Sequence, residues 1–456
     1  IDYTNSYSVN GFNGKNNSSS ANYTKITDNG WHLNFKSSAT ISETGSAIAG
    51  GSEYDGAENF QLNLNSEKWI NDNLKFKSTI YSRKTIADYD GSATDETGYV
   101  ADNRMYTIQT GLEHISKNNE NNLIFHYHNY DRQYENSGYL DEYYSESFVV
   151  RGEIKNKFSK NISYGYGSEY KYDWGSFENR GSYTASTKGH MNNLGIFGNI
   201  GYKINESSIF SIYGRSDDHN TTGGNQTYKI NLTKFFDKFE FGLTHSTGLR
   251  NPTLYELYGS DNYGIAGNTG LNPEKSETNE FTVNYKIFEN LTLRSTAYRA
   301  KVYDQIETNS AYSKHENKLI DINQEGLENE ISFNLNNETL SFYNIFSKSR
   351  KTNGQAQSRR PDLSYGLNYS IAELSSPIGN INFNLNYKHT GKYIDWDGSA
   401  NSRQKSTDIL DLSLTKNISG NLYSLKLTNV FNERYEKPAT YYQDGRQIRI
   451  GFKSLF

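Results

Sequence analysis

A chain of 456 residues is long enough for two or three soluble domains. Its composition is not that of soluble cores, with 34% hydrophobic residues, 14% aromatic ones, and 38 Tyr against 4 Trp and 2 Met. The absence of Cys excludes disulfide frameworks and Cys-based metal or redox centres, and a net charge of −5 without a basic block excludes nucleic acid as a partner.

No run of about 18 apolar residues is present to form a spanning helix, and Ile1 opens directly on polar, β-like sequence, which predicts that any signal peptide has been removed. The chain then repeats one unit, about ten residues of alternating apolar and polar character followed by a turn. The expected fold is all-β, an antiparallel, membrane-spanning barrel of about 22 strands forming a single domain over 1–456. A mean hydropathy of −0.84 fits a wall that shows lipid only every second residue.

In chain order, the Asn-rich patches Asn13 to Ser20 and Asn118 to Asn122 read as turn material. Between them lie two acidic loops: Glu43, Glu53 and Asp55 in or beside one, and Asp88, Tyr89, Asp90, Asp95, Glu96 and Asp102 in the next. Consecutive hairpins are neighbours, so these loops should meet on one rim. Two carboxylates about 4 Å apart repel by roughly 4 kcal/mol at an effective dielectric of about 20, which calls for a cation. Hard oxygen donors suit calcium better than magnesium. On the residues alone, a solvated acidic loop is the simpler account.

His126 and His128 share one strand face at period two and read as lumen or girdle residues rather than ligands. Tyr143-Tyr144, Tyr164 with Tyr166, and Tyr441-Tyr442 suit aromatic belts at strand ends. Tight turns at Phe236-Asp237-Lys238, Phe288-Glu289-Asn290 and Ile418-Ser419-Gly420 alternate with long polar loops at 173–190, 248–276 and 393–403. That asymmetry is the one between the two ends of an outer-membrane barrel, and an even strand number puts both termini on the periplasmic side. Strands at 194–202, 422–428 and 446–456 alternate most regularly, with Ile448, Ile450, Phe452 and Phe456 on one face of the last. The five Pro residues fall in loops or near strand ends. With no Gly-x-Ser-x-Gly elbow and no His-carboxylate set, an enzyme is not expected.

The segment Gly248-Leu249-Arg250-Asn251-Pro252-Thr253-Leu254-Tyr255-Glu256-Leu257-Tyr258-Gly259, followed by Gly270-Leu271-Asn272-Pro273-Glu274-Lys275-Ser276-Glu277, resembles the paired loop motifs of TonB-dependent outer-membrane receptors. The end agrees: Thr428 to Glu436, then Asp444-Gly445-Arg446 and a terminal Phe456, look like that family's last hairpin. Gly214-Arg215-Ser216-Asp217-Asp218-His219-Asn220 and the acidic loops resemble the family's cobalamin (corrinoid) transporters, although Glu53 stands where Asp is usual and the loop ahead of Asp55 is shorter.

The resemblance implies energy-coupled uptake of a scarce, bulky ligand, a corrinoid first, by a monomer in the lipid bilayer of the outer membrane. It implies calcium at Glu53, Asp55, Tyr89, Asp90 and Asp102, with Glu43 a weaker match. Arg215, Asp217, Asp218, Arg250, Asn251, Tyr255 and Tyr258 become ligand-loop candidates, and Phe456 a C-terminal signal for the barrel-assembly machinery. It also implies a lumen-filling plug domain and a periplasmic TonB protein as partners, and since residue 1 reads as opening the first strand, the plug is expected to lie outside this chain. A ferric-siderophore receptor of the same family, a passive porin-like channel and a soluble β-rich adhesin remain as alternatives.

Overall fold

The computed structural model describes residues 2–10, 15–46, 48, 51–91, 94–397 and 399–455. Twenty-two strands form one sheet in which each pairs antiparallel with its predecessor and successor along the wall. The first, Asp2–Asn10, pairs with the last, Gln447–Leu455, so the ladder has no free edge. Closure is what permits a sheet to sit in hydrocarbon, because no water is there to satisfy an open edge. No described helix is long and apolar enough to cross a membrane, which says nothing of a barrel.

Period two carries the two solvents. Leu194, Ile196, Ile200 and Tyr202 point outward and are 46, 62, 52 and 43% exposed, with Leu243, Phe281, Leu327, Leu425, Ile448 and Ile450 on the same outer surface. The intervening positions line the lumen with Asn, Thr, Ser and charged residues, including the cross-strand pair Asn368 and Asn386. The expected lumen position of His126 and His128 is observed, their rings stacked at 6.4 Å on the inner face.

The two ends differ. At one end the connections are short, from 206–207 to 375–380, and both chain ends lie there. The other end carries the long connections 46–53, 89–99, 251–273, 304–321, 352–362, 391–406 and 429–446, together with the short turns 137–138, 181–184 and 220–222. The expected turns at 236–238, 289–290 and 419–420 are present, and all five Pro residues lie outside strands. The segment 393–403 belongs to a connection that carries its own small hairpin, Tyr393–Trp396 with Asn401–Gln404.

One loop expectation is corrected. The segment 173–190 is not a long loop; Ile162–Arg180 and Ala185–Asn205 run through it and leave only 181–184 as a turn. A band about 25 Å tall needs only about ten residues of tilted strand, whereas these strands have 19 and 21. Their outer thirds stand in water on both faces, so the apolar alternation that marks a strand disappears from the sequence. Likewise Asn119–Asn136 is strand from its first residue, so the Asn118–Asn122 patch is mostly ladder rather than turn. The early patch continues as strand from Lys15, while residues 11–14 lie outside the described ones.

The face assignment makes a testable contrast. Ile450→Arg on the outer face should destabilise the barrel by roughly 2–4 kcal/mol near the bilayer midplane, while Asn386→Arg on the lumen face should cost far less; urea unfolding from lipid vesicles measures both.

Candidate functional site

The tall wall supports a folded crown at the long-loop end. Its anchor is the helix Leu254–Tyr258, started by a capping box in which the Thr253 side chain accepts from the Glu256 backbone and Glu256 accepts from the Thr253 backbone. The helix lies on the inner face of the wall, where Gly175 and Gly189 are directly paired across strands. A Cβ on Gly189 would fall 2.2 Å from the Tyr258 ring, and one on Gly175 would fall 3.3 Å from Leu254 Cδ1. The absence of side chains at these two positions is what lets the helix approach the sheet. Leu257, Leu271 and Ile306 then form a small buried cluster with Met191 and Tyr258 against it.

Polar groups fix this loop in place. Arg250 donates to Glu274 at 2.7 and 2.8 Å and to Glu256 at 2.9 and 3.1 Å, while Glu274 also accepts from the Ile306 backbone at 2.8 Å. The two carboxylates hold the Arg250 guanidinium above its ordinary range. Tyr258 accepts at its carbonyl from Thr187 and donates from its hydroxyl to the His190 carbonyl. Asn179, 1% exposed, donates to Asp141 and to the Ser260 carbonyl and accepts from the Ser260 hydroxyl.

Below this crown an aromatic cluster spans the inner wall. Tyr134 meets Tyr89 at 5.6 Å and Tyr143 at 6.2 Å; Tyr143 meets Phe177 and Tyr255 at 5.8 Å each; Tyr255 meets His315 at 5.7 Å. Burial pushes the Tyr89 phenol up to about 12 and holds Tyr255, which donates to Asp261, well above its ordinary value. Of the expected belt pairs, Tyr143 and Tyr144 divide: the first joins this inner cluster and the second faces outward against Trp174.

The acidic loops do converge, in part. Carboxylate oxygens of Glu53, Asp55 and Asp90 lie within 4.8 Å of one another. Asp95 accepts from the backbone of Ser52 at 2.8 Å and so ties the two loops together, while Asp90 accepts from the Glu96 backbone at 3.0 Å within its own loop. Tyr441 donates to the Gly91 carbonyl at 2.8 Å and ties the last loop to them. Partial burial, then the carboxylates of Asp95, Asp90 and Asp55, push Glu53 above the usual carboxylate range. The donor set is all hard oxygen, half-buried, and fits a calcium-sized cation.

Other expected ligands stand elsewhere. Asp102 pairs with Ile86 on the outer face and is bound by Arg104 at 2.9 Å, and Glu43 shares the outer face with Ile41. Tyr89 is beside the cluster, with its ring in the aromatic set. Among the ligand-loop candidates, Arg215 and Asp217 face the lumen, whereas Asp218 pairs with Leu194 on the outside. Arg215 binds Asp217 at 2.7 Å and Glu169 at 3.0 Å, and Arg151 binds Glu169 and Glu153 at 3.3 Å each, which makes an ion ladder across the wall. Asn251 accepts from Thr222; Arg250, Tyr255 and Tyr258 hold the crown. Phe456 lies outside the described residues.

A feature that sequence reading missed is a cleft of about 300 Å³ on the inner wall, lined by Arg83, Thr85, Asn103, Met105, His128 and Tyr130. Arg132 stacks over Tyr130 and Tyr134 at 5.0 and 5.4 Å and bonds Asn103 at 3.0 Å. Among the described residues, neither Arg83 nor Arg132 has a carboxylate partner. The only sequence signal was the inward parity of 83, 85, 103, 105, 128, 130 and 132 once the strand register is known.

The model of the TonB-dependent receptor-like β-barrel matches residues 2–432. The chain therefore belongs to the TonB-dependent receptor family of outer-membrane transporters, and it is not an enzyme. Its fold is shared with the siderophore receptor PirA from Acinetobacter baumannii, at 15% identity and a TM-score of 0.82, over 100% of this chain and 80% of that one. It is also shared with a mutant of the ferric enterobactin receptor from Pseudomonas aeruginosa, at 14% identity and 0.82, over 100% and 81%. The FrpB iron transporter from Neisseria meningitidis matches at 11% and 0.78, over 100% and 81%.

Gly189→Val should release the 251–273 loop from the wall. Limited proteolysis is expected to cut that loop about tenfold faster while the barrel keeps its heat-modifiable migration in detergent.

Proposed function

We propose that this barrel is the wall of a receptor for an anionic iron chelate of the siderophore class, taken up across the outer membrane with energy from a TonB partner. The observation that carries this reading is the inner-wall cleft lined by Arg83, with Arg132 bonded to its lining residues Asn103 and Tyr130 and stacked over Tyr130 and Tyr134, both guanidinium groups unpaired by any described carboxylate. Guanidinium recognises planar anionic oxygen donors bidentately, and aromatic faces add contact area to a chelate with ring ligands. The solved receptors of the same fold include siderophore and iron receptors, which agrees. The corrinoid expectation has less support, since only Glu53, Asp55 and Asp90 of its acidic positions converge and Asp218 faces outward.

In this reading the short-turn end and both termini face the periplasm, the crown faces outward, and a plug fills the lumen in the working receptor. Capture begins at the crown, whose aromatic cluster and fixed loop are preformed. The ligand then passes to the cleft below.

Equilibrium binding of ferric enterobactin and cyanocobalamin to the full receptor tests the ligand class. The chelate should bind more tightly, and Arg83→Gln with Arg132→Gln should weaken it by about 10- to 100-fold, the effect of losing charge-assisted hydrogen bonds. Tighter binding of cyanocobalamin, unaffected by the pair, would remove the siderophore assignment.

The acidic cluster serves as a calcium site that orders the 46–53 and 89–99 loops. Because Glu53 is raised in the folded state, the ion-free cluster is favoured when protonated, and its order is lost as pH rises through the raised Glu53 value. Calcium must displace that proton, so its affinity should climb over the same window and level off above it. Hydrogen exchange in both loops, measured with calcium and with chelator at about pH 4 and about pH 7.5, should show a calcium effect at the higher pH alone; equal protection in all four conditions would remove the ion.

A further inference from the structure

The outer surface between Gly223–Phe235 and Glu338–Lys351 carries a feature that neither the lumen nor the crown uses. A groove of about 710 Å³ runs along it, walled by Ile230, Leu232, Leu243, Phe281 and Ala297. Its depth comes from Ala297, a small residue whose outward neighbours Phe281 and Leu327 are large and 43 and 39% exposed. One step toward the loop end, the strand register sets Asn279, Arg299, Glu325 and Lys348 in a row across four strands. Arg299 and His245 border the groove itself.

The charges in that row are not balanced. The Lys348 ammonium is 4.0 Å from Glu325 and 62% exposed. Arg299 has no hydrogen bond or ion pair among the described residues. His245 and Asn279, by contrast, are engaged with each other at 2.9 Å, and Tyr228 bonds His245 at 3.1 Å, so the polar rim is ordered around an open guanidinium. A cation at the boundary of an apolar band is costly unless an anion meets it there.

We propose that this face holds a lipid of the loop-side leaflet through a net-anionic phosphate-monoester headgroup, its acyl chain lying in the groove and its phosphate against Arg299 and Lys348. Charge complementarity at the rim and chain-sized apolar depth below it select the same occupant. A second outer groove, about 550 Å³ and walled by Leu112, Leu123, Ile154, Tyr166 and Ile196 beside Gly152, has no lysine or arginine in its lining and serves as the internal control.

The test is native mass spectrometry of the delipidated protein titrated with diphosphorylated lipid A and, separately, with phosphatidylcholine. Lipid A is expected to bind at least about tenfold more tightly, and Arg299→Gln with Lys348→Gln to abolish that preference. Ala297→Trp fills the groove and should weaken both lipids with the cations intact, whereas Gly152→Trp in the control groove should change neither. Equal affinity for the two lipids, or wild-type affinity in either the charge pair or Ala297→Trp, overturns the assignment; heat-modifiable migration confirms that each variant is folded.

Discussion

Every property of this molecule descends from one constraint: a backbone that lies in hydrocarbon must bond all of its own N–H and C=O groups. A sheet meets that demand only by closing, and pairing of Asp2–Asn10 with Gln447–Leu455 completes the ring. Closure then divides the wall's side chains into an outer and an inner set. The same alternation that turns Ile448 and Ile450 toward lipid turns Arg449 and Gln447 toward the lumen. A wall of this kind needs no conventional core, and the buried apolar cluster of Leu257, Leu271 and Ile306 belongs to the crown.

Above the band the constraint relaxes, and the wall becomes a support rather than a membrane span. The strands from Asn119 to Asn205 run past the height that lipid requires, and their inner faces provide a surface on which loops can fold. The paired glycines 175 and 189 show how specific that support is. Two missing Cβ atoms admit a five-residue helix far too short to be stable alone. Its capping box and the Arg250 fork then satisfy the polar groups that a loop would otherwise leave to water.

The legible part of the sequence was the part that lies in the membrane. Alternation at 194–202 and 446–456 and the tight turns at 236–238 and 419–420 state the local structure directly, because there each residue has one solvent on one side. The segment 173–190 misled for the opposite reason: with water on both faces, Asp173, Glu178 and Lys188 occupy a strand that reads as a loop. The acidic loops were partly legible. Sequence proximity brought Glu53, Asp55 and Asp90 together correctly, but parity sends Glu43 and Asp102 to the outer face. Arg83 and Arg132 were hidden because their nearness depends on the register of three strands.

The placement of the unpaired cations is the last consequence of the wall. Along the lumen, Arg151 and Arg215 are neutralised by Glu153, Glu169 and Asp217, and Phe197 lies under both guanidinium groups at 4.4 and 5.7 Å. Those residues hold strands in register and offer little to a passing anion. Arg83 and Arg132 are solvated by Thr85, Asn103 and Tyr130 instead, all neutral. A guanidinium held by neutral acceptors keeps its full charge for a ligand, and its geometry is already fixed before the ligand arrives. The wall thus separates cations that build it from cations that, in the proposed reading, receive the anionic chelate, and it does so by the choice of one neighbouring side chain at each position.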